Sequence, residues 1–122
     1  VEIGDWAIVG GLVAVHQFVK IGAHTLLAGF TKAVKDIPPY IIAGSNPMKY
    51  EGVNIIGLKR RGFTVEQIDS IKEFYKLLYK SGLNISDAVK QITSGTTKTN
   101  ETDVILDFIS RSTRGILTDK EK

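Results

Sequence analysis

The sequence contains no cysteine, so it can build neither a disulfide framework, nor a thiol nucleophile, nor a zinc–thiolate site. Its histidines are only two, His16 and His24, and it has a single tryptophan and a single methionine. No run approaches the roughly 20 consecutive apolar residues that a transmembrane helix requires. No basic stretch followed by an apolar core and a small-residue cleavage site opens the chain, and a cytoplasmic location is the default expectation. An excess of charge of one sign is also missing. The formal net charge is +3 over 122 residues, with 24% charged and 43% hydrophobic, the balance of globular material of single-domain size. The positive residues gather in Lys59-Arg60-Arg61 and again at Arg111 and Arg114. Such clusters suit an acidic partner, whether phosphate, nucleic acid or an acidic protein. Nucleic acid is the weaker of these, since its binders more often carry a wider basic stripe interleaved with aromatics.

What the chain does have is a repeat. Every sixth residue from Ile3 is aliphatic or small: Ile3, Val9, Val15, Ile21, Leu27 and Ala33. The residues that follow them, Gly4, Gly10, His16, Gly22, Ala28 and Val34, are small at four of six positions. Four residues beyond each aliphatic stand Ala7, Val13, Val19, Thr25, Thr31 and Ile37. A period of six fits neither the 3.6 of a helix nor simple strand alternation, and is the hexapeptide signature of a parallel β-helix. An ordinary sheet with fortuitous regularity is the alternative. Each unit would give one short strand and three units one triangular coil, with the aliphatic residue inside a narrow prism that admits only modest side chains. The small residue after it is expected to turn the corner, because glycine accepts φ > 0.

Six units make only two coils, and a solenoid buries its ends against neighbours. More coils are therefore expected before Val1-Glu2-Ile3-Gly4, where the pattern is already running. Pro38-Pro39 removes two successive N–H donors, so the ladder is expected to end after Asp36. The organisation expected is β-helix coils over 1–36, a linking loop over 37–50, and an α-helical domain over 51–122. In that domain Thr64 and Gln67 form a capping-box pattern, after which Ile68, Ile71, Tyr75 and Leu78 recur at helical spacing until Ser81-Gly82. Ser86 is a candidate cap for a second helix to about Thr93. Thr99 or Asn100 is one for a third, carrying Val104, Ile105, Phe108 and Ile109 and closing near Gly115. A short helix around Val53–Arg61 precedes them. Phe63, Phe74, Tyr75, Tyr79 and Phe108 read as core of this module rather than as a ligand platform. Residues 96–102 and 118–122 read as polar loop and tail.

Several segments then resemble one family. Gly10-Gly11, Ala14-Val15-His16-Gln17-Phe18 and Ile21-Gly22-Ala23-His24 are similar to the last coils of the UDP-N-acetylglucosamine O-acyltransferases, which open lipid A and hence lipopolysaccharide synthesis. Asp36-Ile37-Pro38-Pro39-Tyr40, Gly52-Val53-Asn54, Gly57-Leu58-Lys59-Arg60-Arg61-Gly62-Phe63 and Arg111-Ser112-Thr113-Arg114-Gly115 extend the resemblance over nearly the whole chain. The last two segments are the most specific. The resemblance implies that the coils are left-handed and that the protein is a homotrimer with active sites in clefts between subunits. Each site would move an (R)-3-hydroxyacyl group from acyl carrier protein to the 3-hydroxyl of UDP-N-acetylglucosamine. The family's general-base histidine and its assisting histidine fall in coils before Val1, so no catalytic residue is assigned here and this piece alone is expected to be inactive. No cofactor of the enzyme's own is implied, because the acyl group arrives on the phosphopantetheine of the carrier protein.

His16 follows an inward aliphatic, so its ring should face outward, either as a plain surface corner or, as the resemblance implies, with Gln17 as a substrate contact. His24 fits an exposed strand or a subunit contact equally well. Two histidines eight residues apart without a carboxylate at ligand spacing argue against a metal and against a γ-type carbonic anhydrase. Arg60 and Arg61 can meet phosphate in a bidentate way, and Asn54 can serve a ribose or base edge. In the family the Asn54 and Arg60 positions help hold the nucleotide, while other basic residues of the cap meet the carrier protein; the plain alternative is a solvated basic turn. Ile56 stands where some members carry a carboxylate. Gly29 lies where the family measures its acyl chain, and a glycine leaves that groove long. Rival readings are the UDP-3-O-acylglucosamine N-acyltransferase of the same pathway, an acetyl-CoA-dependent acetyltransferase, and a non-catalytic trimeric β-helix scaffold.

Overall fold

The computed structural model describes residues 1–95 and 98–119. Its first part follows the period of six: β1 (Glu2–Ile3), β2 (Ile8–Val9), β3 (Ala14–Val15), β4 (Lys20–Ile21), β5 (Leu26–Leu27) and β6 (Lys32–Ala33). Strands three units apart pair in parallel, placing Ile3 beside Ile21, Val9 beside Leu27 and Val15 beside Ala33. The result is a three-faced prism whose centre holds Val19, Ile21, Leu27 and Ala33, all buried. Thr25 and Thr31 also point inward. Their hydroxyls donate to the carbonyls of Gly22 at 3.0 Å and Ala28 at 2.7 Å, so neither polar group is left unpaired in the apolar interior.

The small residues do not turn the corners as expected. The left-handed backbone falls two residues later, at Trp6 (φ 61°), Leu12 (57°), Phe18 (67°), His24 (58°) and Phe30 (62°). Gly4, Gly10 and Gly22 are glycine for a different reason, the approach of the next coil. A Cβ on them would lie 2.6 Å from the Ala23 nitrogen, 2.7 Å from the Gly29 nitrogen and 2.5 Å from the Pro39 nitrogen, respectively.

Nor does the ladder stop at Asp36. Ile37 donates to the Lys20 carbonyl at 2.9 Å, and Gly22 donates to the Ile37 carbonyl at 2.7 Å. β7 (Ile41–Gly44) then pairs in parallel with β5, Leu26 beside Ile42 and Leu27 beside Ala43. Pro38 and Pro39 fall between the Ile37 rung and the next one, in which Tyr40 donates to Ala23 at 2.9 Å, so no rung loses its donor. β8 (Lys49–Val53) turns back antiparallel on β7. The span 37–50 expected as a loop thus contains one whole strand and the start of another.

The helical part opens with α1 (Ile55–Arg60), capped by Asn54. α2 (Val65–Lys80) has the expected capping box between Thr64 and Gln67 and buries Ile68, Ile71, Phe74, Tyr75, Leu78 and Tyr79. α3 (Ile85–Gly95) begins two residues earlier than a Ser86 cap would allow, because the Asn84 side chain accepts from the Asp87 amide at 2.8 Å and so occupies the cap. α4 (Asn100–Arg111) starts at its Thr99 cap and stops well short of Gly115. Beyond Arg111 the chain leaves the helix to pair with the coils, where Asp36 donates to the Gly115 carbonyl at 3.1 Å and Leu117 to the Asp36 carbonyl at 2.8 Å.

Part of the expected 96–102 loop is therefore the first turn of α4, with residues 96 and 97 outside the described residues. Of the expected tail, residues 120–122 lie outside them, whereas the Thr118 carbonyl accepts from Tyr50 at 2.8 Å and Asp119 pairs with Lys80 at 3.1 Å. Phe74, Tyr75, Tyr79 and Phe108 are core, as expected. The Tyr75 and Tyr79 hydroxyls donate to the Pro39 and Leu117 carbonyls, both at 2.6 Å, and fix α2 to the coil edge. Among the described residues no helix is long and apolar enough to cross a membrane.

Candidate functional site

α1 is short, and what positions it is Asn54. The side-chain oxygen accepts from the Gly57 amide at 3.4 Å, the side-chain nitrogen donates to the His24 carbonyl at 3.0 Å, and the backbone N–H donates to Tyr40 at 2.8 Å. Gly57 is needed for this cap, since a Cβ there would meet the Asn54 amide nitrogen at 2.5 Å. One buried amide therefore ties the start of α1 to the coil corner at His24. The far end of α1 then delivers Arg60 and Arg61, both exposed. The Arg61 guanidinium lies 3.8 Å from the centre of the Trp6 ring, a cation–π contact across the helix–coil junction.

Together with His24 and Gly57 these residues line a cavity of about 190 Å³. The expected set of Asn54, Arg60 and Arg61 is thus assembled, and two residues join it. His24 packs against both Tyr40 and Phe63, whose ring centres are 5.8 Å and 5.0 Å from its own and 5.8 Å from each other. Its pKa is lowered by burial first and by the Arg61 charge second, against an opposing pull from Asp5, which keeps the imidazole neutral beside the guanidinium. Phe63, expected in the helical core, belongs to this aromatic group. Trp6 carried no assignment from sequence. Its signal was its place in the repeat, since Trp6 and His24 occupy the same corner one coil apart, as the His24 N–H to Asp5 carbonyl bond of 2.9 Å records. Ile56, on the first turn of α1, is exposed and offers no polar atom.

The remaining candidates lie on other corners. Gly29 is on the corner after β5, where Leu12 and Phe30 are 79% and 80% exposed and form an apolar edge. His16 and Gln17 are on the corner after β3, exposed, as their outward reading requires. Here the C-terminal segment closes over the coil. Buried Asp36 accepts from the Lys20 amide at 2.8 Å and from the Ser112 hydroxyl at 2.6 Å, and Arg114 donates to the Gln17 carbonyl at 2.9 Å. A single copy of the chain therefore gathers the basic cavity at one corner while Gly29 and His16-Gln17 face elsewhere. No group of three or more His, Asp and Glu suited to a metal occurs among the described residues.

Residues 36–117 match the family model for domain 2 of UDP-N-acetylglucosamine O-acyltransferase. The chain belongs to the UDP-N-acetylglucosamine O-acyltransferase family. It is 46% identical over 121 residues to the acyl-(acyl-carrier-protein)–UDP-N-acetylglucosamine O-acyltransferase of Burkholderia lata, covering 96% of this chain and 46% of that protein. Among solved structures, the acyltransferase of Bacteroides fragilis superposes with a TM-score of 0.90 at 46% identity, over 94% of this chain and 45% of its own. That of Francisella novicida superposes with a TM-score of 0.91 at 39% identity, over 98% and 44%. The chain thus spans about half the length of the O-acyltransferases that it matches. Their fold, left-handed β-helix coils followed by a helical cap, is the fold of this chain. The family model begins at Asp36, the residue that joins the last coil to the C-terminal segment.

Proposed function

We propose that, within the full-length protein, this chain forms the sugar-nucleotide side of an O-acyltransferase. That enzyme moves an (R)-3-hydroxyacyl group from acyl carrier protein to the 3-hydroxyl of UDP-N-acetylglucosamine, the first step of lipid A biosynthesis. The observation that carries the reading is the 46% identity with a protein named for this reaction, in a chain whose basic cavity has the chemistry a nucleoside diphosphate needs. Arg60 and Arg61 present two guanidinium forks on one helix end, suited to diphosphate oxygens. Asn54 acts mainly by aiming them.

In the reaction the sugar hydroxyl loses its proton to a base, its oxygen attacks the thioester carbonyl, and the C–S bond breaks to release the carrier thiol, which regains a proton. The base lies in coils that precede this segment in the whole protein. His16 and Gln17 contact the sugar, and the open edge at Gly29 admits the acyl chain. The chain needs no cofactor, since the acyl group is delivered on the carrier protein's phosphopantetheine, and basic residues of the cap receive that acidic protein. A homotrimer accounts for the spread of these residues over different corners, because the cleft between two copies can join the cavity of one to the His16-Gln17 corner of the next. The location proposed is the cytoplasm.

Arg60→Ala in the full-length enzyme tests the assignment. UDP-sugar binding is expected to weaken by about 1.5–3 kcal/mol, the range for hydrogen bonds to a charged group. Unchanged affinity for UDP would remove Arg60 from the nucleotide site. Lost acyl transfer with intact nucleotide binding would move it to the carrier-protein interface.

A further inference from the structure

Between the first two coils the corners of the prism share a backbone rule that fails at one of the three. At the first corner the Asp5 carbonyl accepts from the His24 amide of the next coil at 2.9 Å, and at the second the Gly11 carbonyl accepts from the Phe30 amide at 2.9 Å. The same step along the repeat makes Asp36 the donor for the Gln17 carbonyl at the third corner. Asp36 does not serve. Its amide donates to the Gly115 carbonyl at 3.1 Å, and it lacks the left-handed backbone of Trp6, Leu12, Phe18, His24 and Phe30. The rung that would hold Gln17 to the next coil is absent.

Arg114 replaces it. One guanidinium nitrogen donates to the Gln17 carbonyl at 2.9 Å and the other to the Val34 carbonyl at 3.1 Å. Those two carbonyls belong to successive coils at the same corner, so the planar fork bridges the gap where the ladder is broken. A lysine has no such geometry, because its ammonium is a single donor centre on a flexible stem. The arginine is itself held from the segment after α4, which the Asp36–Ser112 bond of 2.6 Å anchors to the coil.

We propose that Arg114 is a positioning residue for substrate recognition, holding the His16-Gln17 corner in the conformation that meets the sugar. This rests on the reading of that corner as the sugar contact. The Arg114 guanidinium donates to backbone carbonyls, so its effect on the substrate passes through Gln17 and its neighbours, and the nucleotide half of the ligand, met at another corner, does not depend on it.

Binding of UDP-N-acetylglucosamine and of UDP alone is measured by calorimetry on the full-length protein for Arg114→Gln, Arg114→Lys, Gln17→Ala and the Arg114→Gln/Gln17→Ala pair, with KM and kcat alongside. Arg114→Gln is expected to weaken UDP-N-acetylglucosamine by about tenfold through KM while leaving UDP within about twofold, since it removes charged hydrogen bonds on one side only. Arg114→Lys, which keeps the cation and secures the fold if the Gln variant is unstable, is expected to recover only part of that loss. In the Gln17→Ala background the Arg114 substitution is expected to add little, the signature of two residues acting as one unit.

Equal losses for UDP and the UDP-sugar, full recovery by lysine, simple additivity, or a lowered Tm with unchanged sugar affinity would each overturn the positioning role. Gln17→Ala with unaltered UDP-N-acetylglucosamine affinity would instead overturn the sugar assignment of the corner, and the proposal with it.

Discussion

The two regions of the chain make their interiors by opposite means. In the coils the inward position of one unit is covered only by the coils on either side: Ile3 and Val9 are 54% and 37% exposed, whereas Ile21 and Leu27, the same positions one coil on, are 2% and 0% exposed. In the cap Phe74, Tyr75, Leu78 and Ile105 are buried by helices that cross one another, with α2 packing on both α3 and α4. A coil buries aliphatic side chains of modest size, such as Val19, Ile21 and Leu27, and has no room to gain atoms where backbone rests on backbone at Gly4, Gly10 and Gly22. The cap is the reverse, a jigsaw of large side chains in which deletion leaves a void. The glycine contacts of the coils should therefore be sensitive to added atoms, and the aromatic core of the cap to removed ones.

Phe74→Ala puts the largest effect on the cap. Phe74 is fully buried and meets Tyr75 edge-on at 5.5 Å between ring centres, so truncation should cost about 3–5 kcal/mol, read from urea unfolding of the full-length protein at fixed protein concentration. A cost below that of the coil substitution described next would break the contrast between the regions.

Gly22→Ala adds one methyl group where its Cβ would fall 2.5 Å from the Pro39 nitrogen, which only a shift of the coil against the cap-bearing chain can relieve. About 1–3 kcal/mol of destabilisation is expected, the range for overpacking. Gly11→Ala, in the same repeat with nothing within 4 Å of its Cβ, is the control and should change stability by less than about 0.5 kcal/mol. Equal effects at the two glycines would mean that coil contact is not what selects glycine at Gly22.

That pair of glycines also marks how far the sequence could be read. The period of six placed every strand of the first two coils, because the inward positions obey a simple rule of size. What it could not give was which residue turns the corner, since close approach and φ > 0 both select glycine, and only coordinates separate them. Pro38-Pro39 was legible as a missing pair of donors, yet whether a rung needed those donors depends on register against Lys20 and Ala23. In the cap the Thr64 box was legible because both its partners are local, whereas the Asn84 cap was hidden by Ser86, an equally good capping residue two positions on. At the site, Asn54, Arg60 and Arg61 were found together because they are close in sequence. Trp6, His24 and Arg114 join their corners through contacts between coils or across most of the chain, and no local pattern reports those.

The smallest effect expected lies where the two regions meet, at His24. Its ring packs against Tyr40 of the coil edge and Phe63 after α1, with Arg61 and Asp5 as the charged groups that act on it. Burial and Arg61 outweigh Asp5 and hold its pKa below the ordinary 6.5. A base whose folded pKa is depressed binds its proton more readily when unfolded. Its contribution to stability is complete above the unfolded value of 6.5 and is lost as pH falls from there through the folded value.

His24→Asn keeps the backbone carbonyl that receives the Asn54 side chain and suits the left-handed φ of 58°, which asparagine tolerates better than most residues. Unfolding midpoints of the full-length protein measured from pH 8 to pH 5 should therefore fall more steeply for the wild type than for His24→Asn, with the curves separating in slope only below about pH 6.5. The variant should also start lower at pH 8, having lost its ring contacts with Tyr40 and Phe63. Parallel curves would mean that the junction does not distinguish the two charge states of His24. Converging curves would locate the acid sensitivity of this junction in one imidazole, held neutral so that Arg61 keeps its place over Trp6 without a second cation beside it.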